Sequence, residues 1–291
     1  MVFIRMYHSV VKGMIAFCML GTINLYSADA EVQATSRPLG LDVVNLVQKN
    51  DSDAASINFR DNILTNIVNY VDDHTSIQGS FSVPVFNQVD PATFTAPVAG
   101  LARVYYVGGT NTRHNSLGYS RGNDFSLNPG DPKLVFPDAS TNLFTRTASS
   151  SSVLGQPLIP GDFVELGPVA LGEKINFFLI PDGAEEPAPG QAELWWTDPA
   201  QNFPSDALQH ALAVVPAGTD ILLYGWEDRH SLDQQFDGDF NDLFIALQII
   251  PTSAAVPEPE TYLILVSFLL FVACIRKKQK PQKAHCSISN S

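Results

Sequence analysis

Apolar side chains fall at Phe59, Ile63, Leu64, Ile67, Val68 and Val71, three and four residues apart with polar residues between them. That period predicts an amphipathic helix over 58–72, inside a helical segment spanning 31–76, with its apolar stripe packed on neighbouring structure. Beyond residue 76 the period drops to two, Val, Phe, Tyr and Thr become frequent, and Pro and Gly interrupt the runs. The pattern predicts strands over 79–86, 100–107, 133–136, 162–166, 174–180, 192–197, 211–215, 220–226 and 243–250. Many short strands separated by turn residues predict an all-β domain over 77–250, either a β-sandwich or a jelly roll. Residues 149–152 read as a low-complexity loop and 251–260 as a stiff, Pro-rich spacer.

Two further apolar runs flank this body. Arg5 and Lys12 precede an apolar stretch over 14–25, followed by Ala28-Asp29-Ala30, the small-x-small pattern of a secretory cleavage site. Residues 1–30 are therefore predicted to be a signal peptide read by the secretion machinery and signal peptidase, with a mature start near Glu31. Cys18 follows Phe17 where a lipoprotein signal wants a small residue, which argues against lipidation there. At the other end the apolar core 262–275 makes about 21 Å of helix, short of a hydrocarbon core of roughly 30 Å. Arg276, Lys277, Lys278 and Lys280 follow it, so 261–275 reads as a short transmembrane segment and 276–291 as a basic cytoplasmic tail. All that precedes the span then faces outward.

The sequence Val256-Pro257-Glu258-Pro259-Glu260-Thr261-Tyr262, with the apolar run and basic cluster behind it, resembles the PEP-CTERM sorting signal of exported bacterial proteins. The resemblance covers about a tenth of the chain. It implies that Val256, Pro257, Glu258 and Pro259 form the motif read by an exosortase, a membrane-embedded, cysteine transpeptidase-like enzyme of bacteria that secrete exopolysaccharide. It also implies transient anchoring in the inner membrane of a Gram-negative bacterium, then release to the cell surface or extracellular matrix. The tail from Pro281 to Ser291, with Cys286, runs further than such signals usually do.

With the targeting segments set aside, 10 basic and 27 acidic residues remain, so the exported body carries about −17. Such a charge repels nucleic acid and favours solubility and cation binding. Cys18, Cys274 and Cys286 all lie in the targeting segments, so the body has no disulfide and no thiolate chemistry. Its stability must come from a packed core or from bound ions.

The acidity concentrates between the last two predicted strands. Residues 226–242 hold six carboxylates and one asparagine against a single arginine. Carboxylates about 5 Å apart repel by roughly 3 kcal/mol at an effective dielectric of 20, and a hard cation removes that cost. Calcium takes six to eight oxygens, and alternating Asp237, Asp239 and Asn241 can turn such oxygens inward around Gly238. Glu227, Asp228 and Asp242 complete the predicted ligand set, returning from the opposite side of a strand-loop-strand frame. An EF-hand is excluded, because that loop needs Gly at the position of Asp242 and Glu at that of Gln248. The alternative is a solvated turn whose Asp and Asn side chains bond their own backbone.

Gly225-Trp226-Glu227-Asp228 followed by Asp237-Gly238-Asp239-Phe240-Asn241-Asp242 is similar to the closing motif of an uncharacterised β-domain family of secreted bacterial proteins. Asp206-Ala207-Leu208-Gln209-His210 resembles the Asp-x-x-x-His that precedes the hairpin in that family. The resemblance implies a β-sandwich with a calcium loop and no established catalytic activity. Asp233-Gln234-Gln235-Phe236 departs from the glycine-rich stretch of relatives.

Two other motifs invite chemistry. Gly118-Tyr119-Ser120-Arg121-Gly122 matches the G-x-S-x-G nucleophile elbow, but the turn-rich continuation from Asn123 cannot begin the helix an elbow requires. Trp195-Trp196 offers a stacking face for a sugar, although adjacent strand residues point to opposite faces and one of the two should be core. His210 reads as a buried, hydrogen-bonded histidine, and a zinc site built from His210, His230 and an aspartate has no supporting spacing. The chain is thus expected to be an exported, non-catalytic cell-envelope or exopolysaccharide-matrix protein in a structural or adhesive role. The rivals are a carbohydrate-binding module using Trp195 or Trp196 with Tyr105, Tyr106 and Phe203, and a secreted hydrolase using Ser120 or hairpin carboxylates.

Overall fold

The computed structural model describes residues 33–75, 81–84, 88–110, 113–127, 132–139, 158–187, 191–204, 206, 208–234 and 236–252. The predicted signal peptide, sorting motif, span and basic tail lie outside the described residues.

Asp53 starts the helical region with a capping box. Its carboxylate accepts the Ser56 N–H at 2.7 Å while the Ser56 hydroxyl stands 3.0 Å from the Asp53 N–H. From there α1 (Ala54–Asn58) runs through a π turn (Phe59–Ile63) into α2 (Leu64–His74). The helical run thus begins four residues before the predicted 58–72 and ends two after it, because the cap and the Thr75 bond to Val71 O define ends that periodicity does not mark. Residues 33–53, predicted as part of a helical segment, instead form isolated bridges and one short 3₁₀ turn.

The rest of the described body is mostly strand. A six-stranded antiparallel sheet has the order β1 (Gln88–Val89), β8 (Ala211–Val214), β9 (Leu222–Trp226), β10 (Leu243–Pro251), β2 (Gly100–Gly108), β5 (Phe163–Val169). A four-stranded antiparallel sheet has the order β4 (Lys133–Phe136), β3 (Ser116–Arg121), β6 (Ile175–Ile180), β7 (Trp195–Trp196). Leu222, Tyr224, Trp226, Leu243 and Ile245 from the first sheet meet Leu117, Phe177, Leu179 and Trp195 from the second in one core. The arrangement is sandwich-like, with six plus four strands rather than the two four-stranded sheets of a jelly roll.

Both sheets are also covered outside. Tyr105, Leu223, Phe244 and Ala246 on the outer face of the larger sheet pack on Phe59, Ile67 and Val71 of the helical run. Phe59 lies flat on Tyr105, ring centroids 3.7 Å apart. Phe178, Ile180 and Trp196 on the outer face of the smaller sheet are covered by Leu39, Leu41, Val43 and Phe125. Burial of each large apolar side chain contributes about 1.5–3 kcal/mol, so double-sided burial explains why β6 and β9 read as continuous apolar runs without clean alternation.

The N-terminal stretch protects two sheet edges. Along β4, Val44 N–H donates to Leu134 O at 2.9 Å and Leu134 N–H to Asp42 O at 2.8 Å. Along β5, Gln48 and Phe163 exchange backbone bonds of 2.8 and 2.9 Å. One short segment therefore bridges one open edge of each sheet.

Strand β3 was not among the predicted strands, and it contains most of the G-x-S-x-G motif. Gly118 faces Phe178 across the β3–β6 pair, where a Cβ would stand 2.2 Å from the Phe178 ring. Ser120 is fully buried and pairs in register with Asn176. The motif thus sits within a strand and its closing turn, not at a strand-to-helix elbow. In the predicted strand 79–86 the described residues 81–84 make only an isolated bridge, Phe81 to Thr75. Among the described residues no helix is long and apolar enough to cross a membrane.

Candidate metal centre

The acidic loop spans 227–242 between β9 and β10, which pair from Trp226↔Leu243 onward. It is tied down from four directions by backbone bonds: Glu227 N–H to His210 O, Phe81 N–H to Asp239 O, Thr110 N–H to Asn241 O and Asp242 N–H to Trp226 O, all 2.7–3.0 Å. Gly225 makes the return crossing possible, since a Cβ there would lie 2.5 Å from Phe240 O. Phe240 itself takes the left-handed conformation, φ 53°, and Gly238 takes φ 63°.

Three of the six predicted ligands converge. Glu227, Asp239 and Asp242 place one carboxylate oxygen each within 4.8 Å of one another. Backbone donors aim these carboxylates. Glu227 accepts from Arg229 N–H at 3.1 Å and Asp239 N–H at 3.3 Å, and Asp242 accepts from Asp228 N–H at 2.8 Å. The Asn241 amide donates 2.6 Å to Asp239. Among the described residues no ion pair reaches Glu227, Asp239 or Asp242, although Glu227 is only 1% exposed.

The other three nominated residues have different places. Asp237 is exposed beside the trio and adds its charge to all three. Asn241 turns its carbonyl oxygen to the Thr110 hydroxyl and its nitrogen to Asp239, so it orients a carboxylate. Asp228 points to the opposite side, where it accepts from the Asn115 amide at 2.8 Å and faces the guanidinium groups of Arg113 and Arg229 at 3.7 and 3.9 Å. Thr110, Arg113 and Asn115 belong to the site's surroundings without any signal in the sequence, since they come from the β2–β3 connection more than a hundred positions away.

Electrostatics follows this sorting only in part, because burial raises the Asp228 carboxyl too, against the Asn115 N–H and the Arg113 and Arg229 charges that lower it. Burial, then the neighbouring Asp242 charge, pushes the Glu227 carboxyl well above the ordinary range. Burial and Asp228 do the same to Asp242. Burial raises Asp239 to about 6; the Asn241 N–H opposes the rise and the Asp237 charge adds to it. Oxygens within 4.8 Å of one another repel by at least about 3 kcal/mol per ionised pair at an effective dielectric of 20. These three carboxylates can therefore hold a metal ion, which would supply the positive charge that no ion pair supplies among the described residues.

Behind the loop, His210 is fully buried between Asp206 and the hairpin. Its Nε2 stands 3.3 Å from Asp206 Oδ2 and its Nδ1 3.3 Å from Glu227 O, while Trp195 lies flat on the ring at 4.2 Å. Burial holds the imidazole below its ordinary pKa. For Asp206, burial pushes the carboxyl up but is outweighed by the N–H groups of Ser231 and Leu208, leaving it near 2.

The aromatic residues nominated for sugar stacking are core. Trp195 belongs to the layer between the sheets and Trp196 to the outer cluster, both within 2% of full burial, and Tyr105 and Tyr106 are fully buried. Of that group only Phe203 is exposed.

The chain matches no protein-family profile, no curated protein and no solved structure.

Proposed function

We propose that this chain is an exported, non-catalytic β-domain whose Glu227–Asp242 hairpin binds calcium, serving a structural or adhesive role in the cell envelope or exopolysaccharide matrix. The observation that carries the calcium reading is the convergence of Glu227, Asp239 and Asp242, which no ion pair balances among the described residues. An all-oxygen carboxylate set suits a hard cation, and bound calcium would keep all three ionised. Export rests on the signal-peptide pattern of 1–30 and on the resemblance of Val256-Pro257-Glu258-Pro259 and its following segment to an exosortase signal. Exosortase and the secreted polysaccharide are the partners this reading names.

Calcium titration of the full chain, followed by calorimetry, tests the ion. One saturable site per chain that is lost in Asp239→Asn is expected. A wild-type chain that takes up no calcium at millimolar concentration would remove the proposal.

A further inference from the structure

One side-chain amide links the carboxylate trio to the β2–β3 connection. Gly109 lets that connection lie against the hairpin, since a Cβ there would run into Asp242 O. Thr110, the next residue, donates its backbone N–H to Asn241 O at 3.0 Å and its hydroxyl to Asn241 Oδ1. At the other end of the same amide, Asn241 Nδ2 donates to Asp239 Oδ2 at 2.6 Å, while the Asn241 backbone N–H donates to Asp239 Oδ1 at 3.2 Å. Asn241 and Asp239 are both buried.

This orientation suits an ionised carboxylate and opposes a bound ion. A carboxylate oxygen at 2.6 Å needs a donor, and only the nitrogen end of an amide supplies one. A cation on Asp239 reverses that demand, because it repels the positive end of an N–H group and attracts oxygen. Turning an asparagine amide over is a rotation about χ2, a broad and roughly two-fold torsion that accepts either orientation. The place 2.6 Å from Asp239 Oδ2 also fits an oxygen ligand, since oxygens that share one calcium at about 2.3–2.6 Å lie roughly 3 Å apart. At the far end of the amide, Thr110 serves both orientations, because a hydroxyl either donates or accepts.

We infer that Asn241 is a cation-gated ligand: on calcium uptake its amide turns over, Oδ1 joins Asp239 on the ion, and Nδ2–H donates to the Thr110 hydroxyl, which changes from donor to acceptor. Thr110 is then a positioning residue, acting on the ion only through Asn241. The site gains an oxygen when the ion arrives and otherwise spends the same amide on holding Asp239. This inference rests on the calcium reading and adds to it a fourth protein oxygen with the residue that controls it.

The test uses the full chain, with asparagine side chains labelled in nitrogen and threonine methyl groups in carbon, titrated with calcium and followed by calorimetry and nuclear magnetic resonance. An Overhauser contact between the Asn241 amide protons and the Thr110 methyl group is expected to appear with calcium and to fade in chelator. Asn241→Ala should weaken calcium uptake about tenfold. Thr110→Val, which leaves the turned N–H group facing a methyl, should weaken it too, and Thr110→Ser should restore it. Near-ultraviolet circular dichroism confirms that each variant is folded, and the Overhauser contact is read on the wild-type chain without any variant. Two results overturn the inference: calcium bound with that contact unchanged, which would make Asn241 a fixed clamp on Asp239, or uptake as tight in Asn241→Ala as in the wild type. Both leave the calcium reading standing, whereas a wild-type chain that takes up no calcium removes the two together.

Discussion

The backbone N–H of Asp228 donates 2.8 Å to the carboxylate of Asp242, while the Asp228 side chain turns away to Asn115 and Arg113. One residue thus serves the carboxylate trio with its backbone and a separate ion-pair group with its side chain. Asp239→Asn removes a like charge from an unbalanced cluster, so it should stabilise the calcium-free protein by about 1 kcal/mol while abolishing its calcium response. Asp228→Asn, which keeps an oxygen for the Asn115 amide, should leave the calcium response in place. Thermal melts of the two variants, with and without calcium, check the pair; equal behaviour would contradict the sorting of these acids.

Calcium itself should raise the melting temperature. A site with Kd near 10⁻⁴–10⁻³ M contributes about 1–3 kcal/mol at about 10 mM calcium, or about 2–10 °C for a body of this size. Magnesium, which is reluctant to lose its waters, should give a smaller shift at equal concentration.

Acidity should affect the two carboxyl groups in opposite senses. Asp239 is raised to about 6 in the folded chain, so the folded state binds its proton more tightly than the unfolded state does. Its contribution is fully present below pH about 4 and is lost as pH rises towards 6. Calcium should abolish that loss. Asp206 is depressed to about 2, so its contribution is present above pH about 4 and lost as pH falls towards 2, with or without calcium. Melting temperature against pH, measured in calcium and in chelator, separates the two; identical curves would exclude the unbalanced trio.

The G-x-S-x-G segment gives a fourth outcome. Gly118→Ala drives a methyl group into the Phe178 ring and should cost about 1–3 kcal/mol. Ser120→Ala removes a buried hydroxyl that has no hydrogen-bond partner among the described residues and should be neutral or slightly stabilising. Denaturant unfolding of both variants decides this, and a large loss in Ser120→Ala would show the hydroxyl to have a partner.

Strands β2, β4, β9 and β10 were legible because β-branched and aromatic residues cluster between turn signals there. Strand β3 was not, because Gly118 and Ser120 occupy its outward positions and break the apolar pattern. The helix was legible at its middle, where Ile67, Val68 and Val71 repeat, but its start depended on a cap at Asp53 that lies outside the stripe. In the hairpin, sequence pointed to the cluster but not to its division. Spacing cannot show that Asp228 faces Arg113, or that His230 folds back on Asp206, because both pairings are made by the three-dimensional return of distant segments.

The stretch over 42–48 binds the rim of one sheet at Leu134 and that of the other at Phe163. Its presence decides whether the sandwich is closed on that side. A chain trimmed beyond Gln48 would carry two raw rows of N–H and C=O groups, each a template for a strand from another copy. Removing those seven residues would therefore favour polymerisation over solitary behaviour.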